Sequence, residues 1–471
     1  MLKRKRRQEV ELDMNGTSGG FMRPRSPSRA DAQALQRVAP PEAGERSLRE
    51  LLADIRNNAA FTHPLSLREE GVLRAWARHS ERQGLQRIEQ HLARGARHAA
   101  VREALKLRQS LASRLLALWR TVPKHLRPRA AMSADEQEVV CAARLGLMFE
   151  AVGGVGSFSG SASAKIFAKR KRSHKAGSAE RRVLFSFGWE DKARQHLLAT
   201  TLNPFASFHP SQFLLQRHAG KRGRSAACKA LLEALEGLAD THVFVQLDVR
   251  DFYGSIRHEW LEKNLGLPQE IIRRHIHTGR MTFSWTRSAL AHLRDGVRSE
   301  LARRGIPQGS ALSPLIAEMV MADILKGLAD RLAGVRLFTY SDNLGIIVPR
   351  AEAEAVVELL RDAFARHDAG PFELTSTKPI SVTEEIKFLG RWWRVVDGEP
   401  RQFVPEIVAD QRQILIIQDA LVGGVALLPR LRAKTRSLAA EWSGWTGADA
   451  WRSRVLTNLD LAVLSPVRSG A

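Results

Sequence analysis

The spacing of apolar positions changes several times along the chain, and each change marks a boundary. Residues 1–45 show little apolar periodicity and are rich in Arg, Pro, Ser and Gly, too few apolar groups to offset the entropy of ordering a backbone. They read as a flexible basic leader. From 46 to 150 apolar residues recur at helical spacing, and Ser-x-x-Glu boxes at Ser47 to Glu50, Ser66 to Glu69 and Ser133 to Glu136 each open such a stretch. This predicts a helical N-terminal extension. The segments 165–172 and 181–187 suit two short strands around a basic turn.

Ser225 is placed to cap a helix running to about residue 238, and 243–247 reads as a buried strand that delivers Asp248 at its end. Strands at 335–339 and 344–348 flank a turn holding Asp342 and Asn343. Between them Ser313 and Pro314 open an apolar helix to about residue 332, with Ser at the N-cap and Pro at the first helical position. After Gly390 the pattern returns to helix, rich in Arg and Trp.

Composition narrows the partners. At 471 residues and 44% hydrophobic content the chain can build two to four cored modules. Seventy-three Lys and Arg against fifty Asp and Glu leave a formal charge of +23, so nucleic acid leads among partners and an anionic membrane surface follows. Cys141 and Cys228 are the only cysteines, which argues against a zinc cage or disulfide framework and fits a reducing cytoplasm. The first residues carry the run Lys3-Arg4-Lys5-Arg6-Arg7 without an apolar signal core, and no later stretch reaches spanning length. The expected location is cytoplasmic, with no membrane partner.

Joining a nucleotide to a strand needs two divalent ions about 3.5–4 Å apart, and hard magnesium ions want carboxylate oxygens. Two aspartates at the ends of neighbouring strands are the minimal protein contribution. Asp248 opens Asp248-Val249-Arg250-Asp251-Phe252-Tyr253-Gly254-Ser255-Ile256, and alone it suits a turn or cap. Asp342 lies in Phe338-Thr339-Tyr340-Ser341-Asp342-Asn343, which alone is ordinary hairpin chemistry. The string Gly305-Ile306-Pro307-Gln308-Gly309-Ser310-Ala311-Leu312-Ser313-Pro314-Leu315 is more specific, because a generic loop explains its glycines but not its order. Thr377-Lys378-Pro379 and Phe388-Leu389-Gly390 follow.

In this order the strings resemble the palm motifs of reverse transcriptases, over residues 160–392. The resemblance implies an α+β right-hand polymerase: leader 1–45, helical extension 46–150, fingers 151–240, palm with an antiparallel sheet 241–392, and a helical thumb 393–471. It implies an RNA-directed DNA polymerase with Asp248 and Asp342 as catalytic metal ligands for Mg2+ or Mn2+, and Val249 and Asn343 beside them. Asn343 stands where the family normally has a second Asp, supplying an amide oxygen but no charge. By the same resemblance Arg182, Arg181 and Lys169 face the triphosphate, with Asp251, Gln308, Gly309 and Lys378 near the nucleotide. Tyr253 matches the aromatic that crowds a 2′-hydroxyl, implying deoxynucleotide preference. Arg222, Arg224, Ser225, Tyr340, Phe388, Leu389 and Gly390 are the expected contacts to nucleic acid.

Partners implied are an RNA template, a DNA primer and product, and deoxynucleoside triphosphates, with a non-coding RNA or a companion defence protein as further candidates. The long extension and Asn343 look more like bacterial reverse transcriptases, including intron, retron and antiphage-defence groups, than retroviral ones. Two alternatives stay open: template-independent or protein-guided DNA synthesis, and a nucleic-acid-binding protein catalytically impaired by Asn343.

Overall fold

A computed structural model describes residues 46–56, 66–127, 132–170, 181–216, 222–292, 296–442 and 445–464. The expected leader, the basic turn at 171–180 and Gly220-Lys221 lie outside the described residues. The chain forms two compact units, one from the described residues up to 83 with Lys124–Glu150, the other from Gly84–Pro123 with Ala151–Ala471.

In the first unit all three capping boxes close. Ser47, Ser66 and Ser133 donate their backbone N–H groups to Glu50, Glu69 and Glu136 at 2.7, 2.9 and 2.8 Å, and each glutamate N–H returns a bond to the serine Oγ. Buried Glu70 pairs with the Arg144 guanidinium and accepts from Cys141 Sγ at 2.7 Å. Burial, with Glu70 alongside, pushes the Cys141 thiol up to about 12, so this cysteine is an inert packing group.

The second unit begins its strands with β1 (Ser163–Arg170) and β2 (Arg181–Phe187), an antiparallel pair in which Lys169 stands opposite Arg182. β3 (His242–Val249) is central to an antiparallel sheet, whereas β4 (Thr282–Trp285) adds to β1 in parallel. β5 (Arg336–Tyr340) and β6 (Asn343–Pro349) complete one side of the β3 sheet; β7 (Leu374–Ser376) and β8 (Ile380–Ser381) pair with its other edge. The apolar run in β3 is continuous because the strand is covered on both faces. Val243, Val245, Leu247 and Val249 enter a core shared with helices Ser313–Lys326 and Ala353–Arg366, while Phe244 enters a second core with Leu231, Phe388 and Trp393.

Several expectations are corrected. Helix Arg224–Leu235 is capped by Gly223 at φ 84, not by Ser225, since the chain enters through a left-handed residue that glycine adopts without strain. Helix Ser313–Lys326 has Leu312 at its N-cap and gives way at Gly327 to turns, six residues before the expected end at 332. Its Ser313 Oγ instead donates back to Pro307 O at 2.9 Å. After Gly390 the chain forms strands before any helix: with β9 (Ile386–Phe388) just ahead of that glycine, β10 (Arg391–Val396) and β11 (Glu399–Phe403) make a small antiparallel sheet. In β10 Trp393 and Val395 are buried and Arg394 is exposed, a short period of two that the flanking Arg and Trp residues mask. Helices Glu406–Glu441 and Ala448–Leu464 follow, joined through Trp442 and Trp451, whose rings lie 4.8 Å apart.

Phe388 is fully buried and meets Phe244 edge-on at 5.7 Å, so its side chain is core rather than a primer contact. Phe388→Ala is expected to cost about 3–5 kcal/mol of stability. Urea denaturation of the full chain checks this; a loss below about 1 kcal/mol would contradict the packing role.

Candidate active site

Alternation along β3 aims Leu247 and Val249 inward and leaves Asp248 exposed at the strand end. In register, Asp248 stands opposite Asn343, and Val249 N–H donates to Asp342 O at 3.0 Å. Asp248 near the end of β3 and Asp342 in the turn just before β6 therefore adjoin, and both line one cleft of about 1510 Å3. Val249, Asp251, Tyr253, Gln308, Gly309 and Arg182 line the same cleft. Sequence positions 182, 248, 308 and 342 thus converge on one space.

The loop before helix Ser313–Lys326 is strapped on both sides. Gly305 N–H donates to Ile256 O at 2.7 Å and Ile306 N–H to Tyr253 O at 2.8 Å, fixing the loop to the segment after Asp248. Phe185 N–H donates to Gln308 O at 2.9 Å, fixing it to β2 three residues beyond Arg182. Gly309 has φ 123, and a Cβ there would stand 2.2 Å from Phe185 O. Only glycine fits, because both the dihedral and the space exclude a side chain.

Asp251 adopts φ 45 and makes no side-chain cap bond to helix Phe252–Ser255. Its carboxylate lies against Gly254, where an added Cβ would meet Oδ2 at 2.3 Å. Tyr253 is half-buried with its hydroxyl 3.2 Å from Ser341 Oγ, and burial raises its phenol above the ordinary value. This joins the first motif to the turn of the third.

The remaining candidates are placed elsewhere. Lys169 is exposed beside Arg182, and Lys378 is exposed between β7 and β8; neither lines the cleft. The Arg181 backbone pairs with Arg170, and its side chain lies outside the described ones. Arg222 and Ser225 are exposed at the start of helix Arg224–Leu235, while Arg224 forms an ion pair with Glu441. Tyr340 packs against the Phe388 core, and Leu389 and Gly390 form a left-handed turn at φ 49 and 80. Asn343 does not line the cleft; its Nδ2 donates to Asp342 Oδ1 at 2.9 Å.

Sequence reasoning passed over three groups. Lys192 and His196, one turn apart on helix Trp189–Leu202, line the cleft, as do Glu300, Leu301 and Arg304 around helix Val297–Arg303. Glu318, wholly buried on helix Ser313–Lys326, accepts from Ser341 N–H at 3.2 Å and from Gln212 Nε2 at 3.0 Å. A lone acid within Ile316-Ala317-Glu318-Met319-Val320 was the available signal, because a charge inside an apolar run must find partners. Burial pushes its carboxyl up to about 7.

The donor set fits a hard divalent cation, since Asp248 and Asp342 offer carboxylate oxygens on one wall. Among the described residues no group of three or more His, Cys, Asp or Glu forms a candidate cage. An open two-carboxylate set leaves coordination positions for phosphate oxygens and water, as magnesium prefers.

Residues 170–392 match the family model described as reverse transcriptase (RNA-dependent DNA polymerase). By that match the segment is similar to reverse transcriptases, whose chemistry is nucleotidyl transfer. No curated protein matches the chain. Among solved structures, the chain is similar to telomerase from Candida albicans in complex with a fragment of telomeric RNA, at 11% identity and a TM-score of 0.35. That match covers 64% of this chain and 62% of the telomerase chain.

Gly309→Ala is expected to break the Phe185 to Gln308 bond and displace the loop before helix Ser313–Lys326. Nucleotide incorporation should fall about 10- to 100-fold, as for misplacement of a positioning loop; an unchanged rate contradicts the fit. For Glu318, the unfolded chain ionises near 4.5 and the folded group only near 7. Its protonated form thus favours the fold below about 4.5, and that contribution is lost as pH rises through about 7. Melting of wild type against Glu318→Gln in metal-free buffer should shift in favour of the variant between about pH 5 and pH 8. A difference that stays constant with pH would refute the assignment.

Proposed function

We propose that the chain is an RNA-directed DNA polymerase that extends a DNA primer with deoxynucleotides on an RNA template. The observation that carries this reading is the convergence of Asp248 and Asp342 on one cleft wall, with Val249 N–H bound to Asp342 O at 3.0 Å. Asp248 and Asp342 would hold Mg2+ or Mn2+. Bound there, the ions supply activation of the primer hydroxyl and stabilisation of the leaving pyrophosphate.

The chain's own residues do the rest. Arg182 and Lys192 on the cleft wall attract the triphosphate, and Lys169 directly opposite Arg182 adds like charge that an anion relieves. Gln308 and Gly309 bring backbone close to the nucleotide. Tyr253, whose hydroxyl meets Ser341 Oγ at 3.2 Å on the cleft lining, would exclude a 2′-hydroxyl. The exposed Gly390, next to half-buried Leu389, rather than the Phe388 ring, would be the part that meets a primer. The formal charge of +23 supports a polyanionic partner. A bacterial type and a role in phage defence rest on the resemblance of the motifs alone.

The test is primer extension by the full chain with Mg2+ or Mn2+, with and without nuclease treatment to remove RNA. Templated DNA is expected from wild type. Asp248→Ala and Asp342→Ala should each lose about a thousandfold, the equivalent of several kcal/mol of transition-state stabilisation. Random or fixed-repeat DNA made after RNA removal would favour untemplated or protein-guided synthesis. Nucleic-acid binding without synthesis in either metal would favour the impaired binder, in line with the Asn343 amide occupying one oxygen of Asp342.

A further inference from the structure

Glu318 is a carboxylate with no exposure to solvent, set in the apolar stretch from Leu315 to Ala322 of its helix, behind the turn that carries Asp342. Such a group is expensive to bury unless its oxygens meet donors. Both do. Oε1 accepts from Ser341 N–H at 3.2 Å and Oε2 from Gln212 Nε2 at 3.0 Å.

The direction of the Gln212 amide is fixed by its other bonds. Gln212 Oε1 accepts from His209 N–H at 2.6 Å, and Nε2 also donates to Glu318 O at 2.8 Å. The nitrogen must therefore face Glu318, and position 318 must present acceptors at both ends of its head group. A carboxylate satisfies this; a glutamine would turn an NH2 toward one of two donors. The segment carrying Gln212 is itself tied to β5, with Thr339 N–H donating to Ser211 O at 2.7 Å and Phe213 N–H to Thr339 O at 3.0 Å.

The bond to Ser341 falls on a conformationally demanding residue. Ser341 has φ 60, in the left-handed region that a serine adopts only when its surroundings hold it. Tyr253 reaches its Oγ from the cleft side while Glu318 takes its N–H from the core side. Asp342 is the next residue.

We infer that Glu318 is a positioning residue of the polymerase site, which with Gln212 clamps Ser341 in its left-handed conformation and so sets the Asp342 carboxylate against Asp248. The clamp acts through the backbone and touches neither substrate nor metal. The inference rests on the polymerase reading, but the hold on the turn is measurable without it.

Two measurements on the full chain test it, using Glu318→Gln, Glu318→Ala and Gln212→Leu. Amide hydrogen exchange of the peptide spanning 336–345 should speed up in all three variants, because Ser341 N–H loses its buried acceptor or that acceptor loses its anchor. Primer extension normalised to active sites should show kcat lowered about 10- to 100-fold with KM for nucleotide nearly unchanged, Glu318→Gln being milder than Glu318→Ala. A residue serving only stability would lower the active fraction and leave kcat per active site alone. If wild type extends primers and the variants keep its kcat, the clamp is refuted while the polymerase reading stands. If wild type extends nothing, the polymerase reading falls, and exchange alone decides whether Glu318 holds the turn: unchanged exchange refutes it and faster exchange upholds it.

Discussion

Backbone pairing locks β3 to β6 from His242 opposite Pro349 to Asp248 opposite Asn343, and the placement of Asp248 against Asp342 follows from that register. A slip of one residue would send Val243, Val245 and Leu247 into the core that holds Phe244, and would move Asp248 off the cleft wall. Both faces of the sheet are filled, so neither core tolerates the exchange. The Gly345 backbone marks how closely the second core is packed: a Cβ there would meet the Phe244 ring at 2.9 Å and the Phe388 ring at 3.2 Å. Packing chosen for hydrophobic burial thus fixes two carboxylates that contribute nothing to the core themselves.

The Gly305 to Gly309 loop adds a second wall to the cleft beside that fixed one. Its bonds to Ile256, Tyr253 and Phe185 join the segment after β3 to the hairpin of β1 and β2. A further support comes from the insert before it. His258 Nε2 lies 3.0 Å from Gly305 O, stacked at 4.0 Å on His277, and Thr278 Oγ1 donates to Leu301 O at 2.6 Å. Burial holds both histidines below their ordinary values, His277 down to about 4, so the stack is neutral at physiological pH and acts as a spacer rather than a switch. The insert therefore has a mechanical task, holding the strap from outside while helix Val297–Arg303 lines the cleft.

Much of this site was legible in the sequence because its chemistry coincides with local rules. Asp248 follows a buried strand, Asp342 sits in a hairpin turn, and Gly309 occupies a backbone conformation only glycine takes freely. What escaped depends on contacts distant in the chain. Gln212 and Glu318 are 106 residues apart, and no short-range pattern reveals that one anchors the other. Phe388 belongs to a turn motif by sequence yet to the core by packing, since the strand pair that buries it, β9 with β10, was hidden under an Arg-rich and Trp-rich pattern read as helix. Lys378 and Arg224 were expected from short motif resemblances; one stands exposed outside the cleft and the other is engaged by Glu441.

Asn343 gains a physical meaning from the same geometry. Its Nδ2 lies 2.9 Å from Asp342 Oδ1, a distance at which a second carboxylate would repel the first and raise its affinity for a proton. An amide there donates instead, orienting Asp342 without competing for charge. At the paired strand ends the negative charge then comes from Asp248 and Asp342; Asp251, Glu300 and Glu373 stand elsewhere along the lining with Arg182, Lys192, Arg250 and Arg304, and Arg250 is paired to Glu373 at 3.1 Å. With one carboxylate fewer at the turn, the exact aim of Asp342 counts for more, since a misaligned oxygen has no charged neighbour to take its place. A turn held from the core by Glu318, from the cleft by Tyr253 and from the side by Asn343 meets that demand with three bonds from three separate elements.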